Sequence, residues 1–146
     1  PMDGEGSLKS LDLDGTMATL RTNSVAPLWV ARAFLPLLAK GEGPRIVNIT
    51  SGAGNLTAKT DNAMYAYGAS KAALNFVTRA LAAELKAAGI IVAAVGPGWV
   101  RTRMGGSDAE LAPSESAAGL AATIDGLTMD DSGRWFTYDG RQRTTW

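Results

Sequence analysis

The sequence predicts an α/β protein built around a parallel sheet, and three observations carry that expectation. Two short runs rich in β-branched and apolar residues, 45–50 and 90–95, each follow a long Ala- and Leu-rich segment of helical composition. Strands separated by helices of that length imply right-handed crossovers between parallel strands. The second run, Ile90-Ile91-Val92-Ala93-Ala94-Val95, is continuously apolar rather than alternating, the mark of a strand covered on both faces.

In chain order, residues 1–13 are polar and Gly-bearing and read as an irregular lead-in. Asp14 is placed to cap a helix over 14–39, closed by Lys40 and Gly41. Pro27 and Pro36 fall inside it, and a proline lacks the N–H that would reach four residues back. Pro27 therefore frees the carbonyl of Asn23, Pro36 that of Arg32, and a bend is expected near Asn23. The strand 45–50 follows Gly43-Pro44, and a Ser51–Gly52–Ala53–Gly54–Asn55 turn cluster opens a loop that runs to about Asn62. Residues 63–88 read as a helix with Gly89 as its cap, then comes the strand 90–95. After a loop over 96–113, Ser114 is expected to cap a helix to near Leu127. A last strand over 134–138 precedes a polar tail ending in Trp146. Three strands and three helices are expected.

Composition narrows the chemistry. A chain of 146 residues is one domain's length, and 46% apolar with 19% charged residues is a globular balance. Fourteen basic residues cancel fourteen acidic ones, which argues against nucleic acid or an anionic membrane as partner. With neither Cys nor His there is no disulfide, no thiol nucleophile, no Ser-His-Asp triad and no metal site built on those ligands, so no metal is expected. Proton transfer falls to Tyr, Lys, Ser, Asp or Glu. The longest charge-free apolar stretch lies between Lys86 and Arg101, short of the ~20 residues of a membrane span. The start, Pro1-Met2-Asp3, has no signal-peptide pattern and reads as processed, tagged or truncated; the cytoplasm is the default compartment.

Ser51 falls at the carboxyl end of the first strand, where open parallel sheets bind ligands. Tyr67 and Lys71 are four apart on the next helix and share a face. A Tyr-xxx-Lys pair arises by chance about one time in ten at this composition, so its place just after a Ser-bearing strand end is what counts. A free phenol titrates near ~10, and a neighbouring ammonium favours the phenolate and brings it nearer neutral pH. Ser51 can then hold the same substrate oxygen. Gly68 and Ala69 leave room for something large against the helix backbone. A second cluster, Gly96-Pro97-Gly98-Trp99-Val100-Arg101-Thr102, closes the next strand. It is either a plain Pro-Gly turn or a wall of the same crevice, with 99–113 as a substrate loop and lid.

Taken together, Asn23, Ser51, the Tyr67-Gly68-Ala69-Ser70-Lys71 stretch and the Pro97–Gly98–Trp99–Val100–Arg101–Thr102 turn resemble the short-chain dehydrogenase/reductase superfamily. Gly98-Trp99-Val100, Met104-Gly105-Gly106, Ile124-Asp125-Gly126-Leu127 and Ser132-Gly133-Arg134 are similar to its C-factor-like carbonyl reductase branch. The resemblance implies a Rossmann-like parallel sheet and an oxidoreductase that moves a hydride between NADP or NAD and a carbonyl or secondary alcohol. It implies Tyr67 as acid/base, Ser51 as the orienting hydroxyl and Lys71 as partner of both Tyr67 and the nicotinamide ribose. Asn23 would hold a relay water through its carbonyl. Pro97, Gly98, the Val100 backbone and the Thr102 hydroxyl would stand at the nicotinamide. Arg103 departs from the branch, which usually has an acidic residue there.

The family's Gly-rich phosphate turn is missing: none of the G-x-G starts at Gly4, Gly41, Gly52 and Gly96 continues correctly, and no GxxxGxG occurs. Residues 1–146 thus read as a single partial domain, the carboxyl-terminal half of the fold without its first βαβ half. The segment 46–50 would then be a bare strand edge, a liability that another chain can cover. A homo-oligomer through helices 14–39 and 63–88, or through that edge, is expected. The alternative function is a non-catalytic interaction or signalling fragment that keeps only this half of the fold.

Overall fold

The computed structural model describes residues 8–60 and 64–146. Its sheet has four strands in the order β1 (Arg45–Ile49), β2 (Ile91–Gly96), β3 (Trp135–Thr137) and β4 (Gln142–Arg143). The first three are parallel, and β4 turns back antiparallel to β3. The α/β class is therefore as expected, but the sheet has one more strand. β4 comprises two exposed polar residues, too short and too hydrophilic to stand out in the sequence. The strand expected over 134–138 is shorter at both ends, and the strands expected at 45–50 and 90–95 are bounded at Ile49 and Gly96.

The first helical stretch is not one helix. Helix α1 (Leu13–Leu20) passes into a π-helical turn (Arg21–Val25) and then into α2 (Ala26–Leu38). The bend foreseen near Asn23 takes the form of a widened turn, in which the Ala26 N–H reaches back five residues to the Arg21 carbonyl. Pro27 then lies in the first turn of α2, where a missing N–H costs little. The cap is Asp12, not Asp14: the Asp12 carboxylate accepts from the Asp14 N–H at 3.1 Å, so Asp14 is the second helical residue. Of the lead-in expected over 1–13, residues 1–7 lie outside the described residues, and Leu8–Ser10 form a short 3-10 turn.

Helix α3 (Tyr65–Leu85) starts after Met64, whose φ of 61° is left-handed. The start expected at Ala63 and the loop end at Asn62 lie outside the described residues. The last turn tightens to 3-10 at Lys86–Ala88, and Gly89 closes it with φ +68° as its lack of a Cβ allows. Helix α4 (Pro113–Asp125) is capped from Ala112 rather than Ser114, because Pro113 takes the first helical position and the Glu115 carboxylate accepts from the Ala112 N–H at 2.7 Å.

The two strand faces sort the core. Ile90 and Val92 pack with Leu85 and Ala82 of α3 and with Ile46, Leu35 and Leu38. Ile91, Ala93 and Val95 pack on the other face with Phe136, Leu127, Leu120, Ile124 and Val47. Every residue of β2 is buried, as its unbroken apolar run requires. A buried polar ladder ties β1 to α3: Asn48 Nδ2 donates to Thr78 Oγ1 at 2.9 Å, and Thr50 Oγ1 to Asn75 Oδ1 at 2.5 Å.

Only one edge of β1 is paired among the described residues. The Ile91 N–H donates to the Pro44 carbonyl and the Thr50 N–H to Val95. By the alternation of a parallel ladder, the N–H and C=O groups of Arg45, Val47 and Ile49 face away from β2. They front a groove of about 600 Å³ whose far wall is α2, with Pro27, Val30, Ala31 and Phe34. The open edge expected of the strand is present.

Candidate active site

Ser51 leaves β1 in an extended conformation, and its Oγ accepts from the Ala53 N–H at 3.2 Å, starting the 3-10 turn Gly52–Gly54. That turn lies directly on α3. A Cβ on Gly54 would fall 2.6 Å from the Lys71 carbonyl carbon, and one on Gly68 would fall 3.0 Å from the Ala53 oxygen. The room that Gly68 leaves is therefore taken up by this chain's own loop. Asn75 Nδ2 holds the Gly54 carbonyl at 3.3 Å, so the buried ladder ends at the Ser51 turn.

Ser51 and Tyr67 line one cavity of about 780 Å³ at the carboxyl ends of β1 and β2. Pro97, Gly98, Val100 and Thr102 line it too, so the two sequence clusters meet. No described residue is hydrogen-bonded to the Tyr67 phenol, which leaves it available to a ligand. Gly98 has φ +80°, and a Cβ there would collide with Leu111 at 2.5 Å, so glycine sets the shape of this wall.

Lys71 and Asn23 stand in the neighbouring groove instead. The Lys71 Nζ donates to the Ile49 carbonyl at 2.9 Å, on the unpaired edge of β1, and lies 5.6 Å from the centre of the Tyr67 ring. Partial burial holds its ammonium below the ordinary lysine value. Asn23 Nδ2 donates to Ser70 Oγ at 3.1 Å, Ser24 Oγ donates to the Ser70 carbonyl at 2.8 Å, and Ser70 Oγ donates to the Tyr67 carbonyl at 2.7 Å. The π turn thus grips the first turns of α3 from the side. Ser24 and Ser70 carried no separate sequence signal; their burial is a product of that contact.

The segment 99–113 is folded back on itself. Val100 bridges Leu111, the Arg101 guanidinium donates to the carbonyls of Ala109 and Glu110, and Trp99 Nε1 donates to the Gly105 carbonyl at 2.9 Å. Thr102 Oγ1 accepts from the Gly105 N–H at 3.2 Å. Ser116 Oγ anchors the Pro97 carbonyl at 2.7 Å. Arg103 is exposed.

The cavity is also lined by two residues that sequence reasoning missed, Trp135 and Arg143, brought in by β3 and β4. The Arg143 guanidinium stacks 5.2 Å over the Trp135 ring. Trp146 also meets Trp135, with ring centres 5.8 Å apart, and its carbonyl accepts from the N–H groups of Leu56 and Thr57. The tail therefore braces the loop that follows Ser51.

A nicotinamide group fits the walls present. Pro97, Gly98, Val100 and Thr102 form one side of a cavity that also holds a free phenol and a serine hydroxyl. The Gly-bearing turns that follow β1 and β2, Gly52–Gly54 and Gly96–Gly98, do not run directly into an α-helix N-terminus that would receive its phosphates.

The short chain dehydrogenase family model matches residues 2–111. The C-signal protein of Myxococcus xanthus is 40% identical over 93% of this chain and 82% of its own length. A 1-hydroxy-2-glutathionyl-2-methyl-3-butene dehydrogenase of a Rhodococcus strain is 36% identical over 90% of this chain and 59% of its own. Among solved structures, the carbonyl reductase Sniffer of D. melanogaster superimposes with a TM-score of 0.90 at 35% identity, covering 93% of this chain and 59% of that one. An NADPH-bound carbonyl reductase from chicken fatty liver gives 0.86 at 32%, with 95% and 60% covered. The chain spans about six tenths of the length of these reductases.

Proposed function

The chain belongs to the short chain dehydrogenase family, and from that premise we propose that its cavity serves NAD(P)-dependent interconversion of a carbonyl compound and a secondary alcohol. The observation that carries the proposal is the shared cavity of Ser51 and Tyr67, with a phenol that has no partner among the described residues. Pro97, Gly98, Val100 and Thr102 would hold the nicotinamide, and Lys71 its ribose; the reduced cofactor, when bound, supplies the hydride. Ser51 Oγ donates to the substrate oxygen and fixes its position. Tyr67 gives its phenolic proton to that oxygen in reduction and takes it back in oxidation. The Lys71 ammonium favours the phenolate that results. Asn23 offers a carbonyl that Pro27 leaves without its usual helical donor, a seat for the water that returns the proton. One of the three N–H donors of the Lys71 ammonium now rests on the Ile49 carbonyl.

The test is oxidation of NADPH or NADH by carbonyl substrates, run on the chain and on a form extended by whatever its gene encodes ahead of Pro1. Tyr67→Phe should lower turnover by about 10²–10⁴-fold, the usual worth of a positioned acid/base. Turnover that survives this change would end the catalytic reading.

A homo-oligomer belongs to the same proposal. Trp29, Phe34 and Leu37 on α2 and Phe76 on α3 (75% exposed) offer apolar surface, as does the bare edge of β1. Sedimentation at micromolar concentration should show more than a monomer. A non-catalytic interaction or signalling role is favoured by one observation, the groove along β1 with an unpaired edge, which suits an added strand. Biological activity that persists after joint loss of Ser51 and Lys71 would decide for it.

A further inference from the structure

We propose that the part of the cavity lined by Arg143 and Trp135 binds a carboxylate, and that the substrate is a short oxo acid. The assignment of a substrate class rests on the reading of Ser51 and Tyr67 as the carbonyl site. The Arg143 guanidinium reaches toward that site: a Cβ on Gly52, the residue after Ser51, would lie 4.0 Å from its Nη2. No described carboxylate pairs with Arg143, whereas Arg134 has Asp131 and Arg141 has Asp139. Its guanidinium carbon lies 5.2 Å from the centre of the indole ring, and no described residue takes its N–H fork.

Trp135 supplies an independent observation. It is 1% exposed, and its Nε1–H is a buried side-chain donor with no acceptor among the described residues. Buried donors are nearly always paired, so an orphan beside a cavity marks a missing acceptor. A Cβ on Gly96 would stand 3.4 Å from Nε1, and both residues line the cavity, which puts the buried indole N–H beside it at the carboxyl end of β2. A planar carboxylate matches a guanidinium fork bidentately and has lone pairs to spare for an indole N–H. Met104, Pro113, Ala117 and Leu120 add apolar wall that suits a short aliphatic link. Because Arg143 adjoins Gly52, the carboxylate falls within a few bonds of the oxygen that Ser51 would hold.

The experiment is an NMR titration of the ¹⁵N-labelled chain with 4-oxopentanoate and with its methyl ester, read at the indole N–H resonances and assigned by Trp135→Phe. The acid should saturate and shift the Trp135 indole signal, and the ester should bind at least tenfold more weakly. Arg143→Gln should weaken the acid about tenfold, and Arg143→Lys should recover part of that loss, since it restores charge without the fork. Equal binding of acid and ester, an unchanged affinity in Arg143→Gln, or no saturable binding would each overturn the proposal. The readout needs no turnover. An inert Tyr67 in the kinetic assay would remove the carbonyl reading and the oxo-acid assignment while the carboxylate site stood.

Discussion

β1 and β2 lie side by side, are similarly rich in Ile and Val, and have opposite surroundings. β2 has a strand on each edge and helices on both faces, and Val92, Ala93, Ala94 and Val95 are fully buried. Among the described residues β1 has a strand on one edge only, and its Ile49 remains 42% exposed. The difference is one of neighbours, not of residues: an apolar strand becomes a core only when something is laid along each side of it. The cavity of Ser51 and Tyr67 lies at the carboxyl ends of both strands, and the groove of Asn23 and Lys71 runs along the bare one.

Charge is the harshest way to break this contrast. Val95→Asp would bury an unpaired carboxylate among Ile91, Phe136 and Leu127 and should cost about 4–5 kcal/mol, of the order of a whole domain's stability. Ile49→Asp should cost no more than about 1 kcal/mol in the same urea titration. Proline probes the ladder itself. Asn48→Pro removes an N–H that faces β2 and should cost about 3 kcal/mol or more, whereas Val47→Pro removes one that faces outward and should cost far less. Equal losses would mean that the open edge is paired in solution, by a second copy or another chain. Asn75→Ala leaves the Thr50 hydroxyl and the Gly54 carbonyl without their partner and should cost about 2 kcal/mol by thermal unfolding.

The smallest effect is the most local. Burial makes the folded chain hold the Lys71 proton less tightly than the unfolded chain does. The penalty is therefore fully present at neutral pH and is relieved as pH rises toward the ordinary lysine value of ~10.4. Stability should climb slightly over that window, and Lys71→Met should flatten the slope measured by denaturant midpoints.

Much of this was legible in the sequence because it depends on local chemistry. The unbroken apolar run announced a doubly covered strand, Gly89 its helix end, and Pro27 an irregularity at Asn23. The meeting of Ser51 and Tyr67 in one cavity followed from a strand end feeding the next helix. Boundaries were less legible: the cap expected at Asp14 falls at Asp12, whose extended backbone lets its carboxylate reach the Asp14 N–H. Lys71 could not be placed, because its partner is a carbonyl made available by the absence of a neighbouring strand. Trp135 and Arg143 reach the cavity through pairings of β3 and β4 that no periodicity reveals in so few residues. The tail was read as a polar end, yet it straps the Ser51 loop through Trp146.

The π turn at Arg21–Val25 acts as a phase shifter along the first helical stretch. One surplus residue offsets everything before it by roughly 100° relative to everything after. By that count regular winding would set Trp29 about 160° round from Leu13, and the offset brings it to about 60°, nearer the face of Leu13 and Met17. A one-residue deletion, which scrambles an ordinary helix, would here restore regular winding and could leave the backbone more uniform than before. Its damage would lie elsewhere: the grip of Asn23 and Ser24 on Ser70 depends on that offset, and an alignment gap at this point would cost the molecule its hold on Tyr67 rather than its helix.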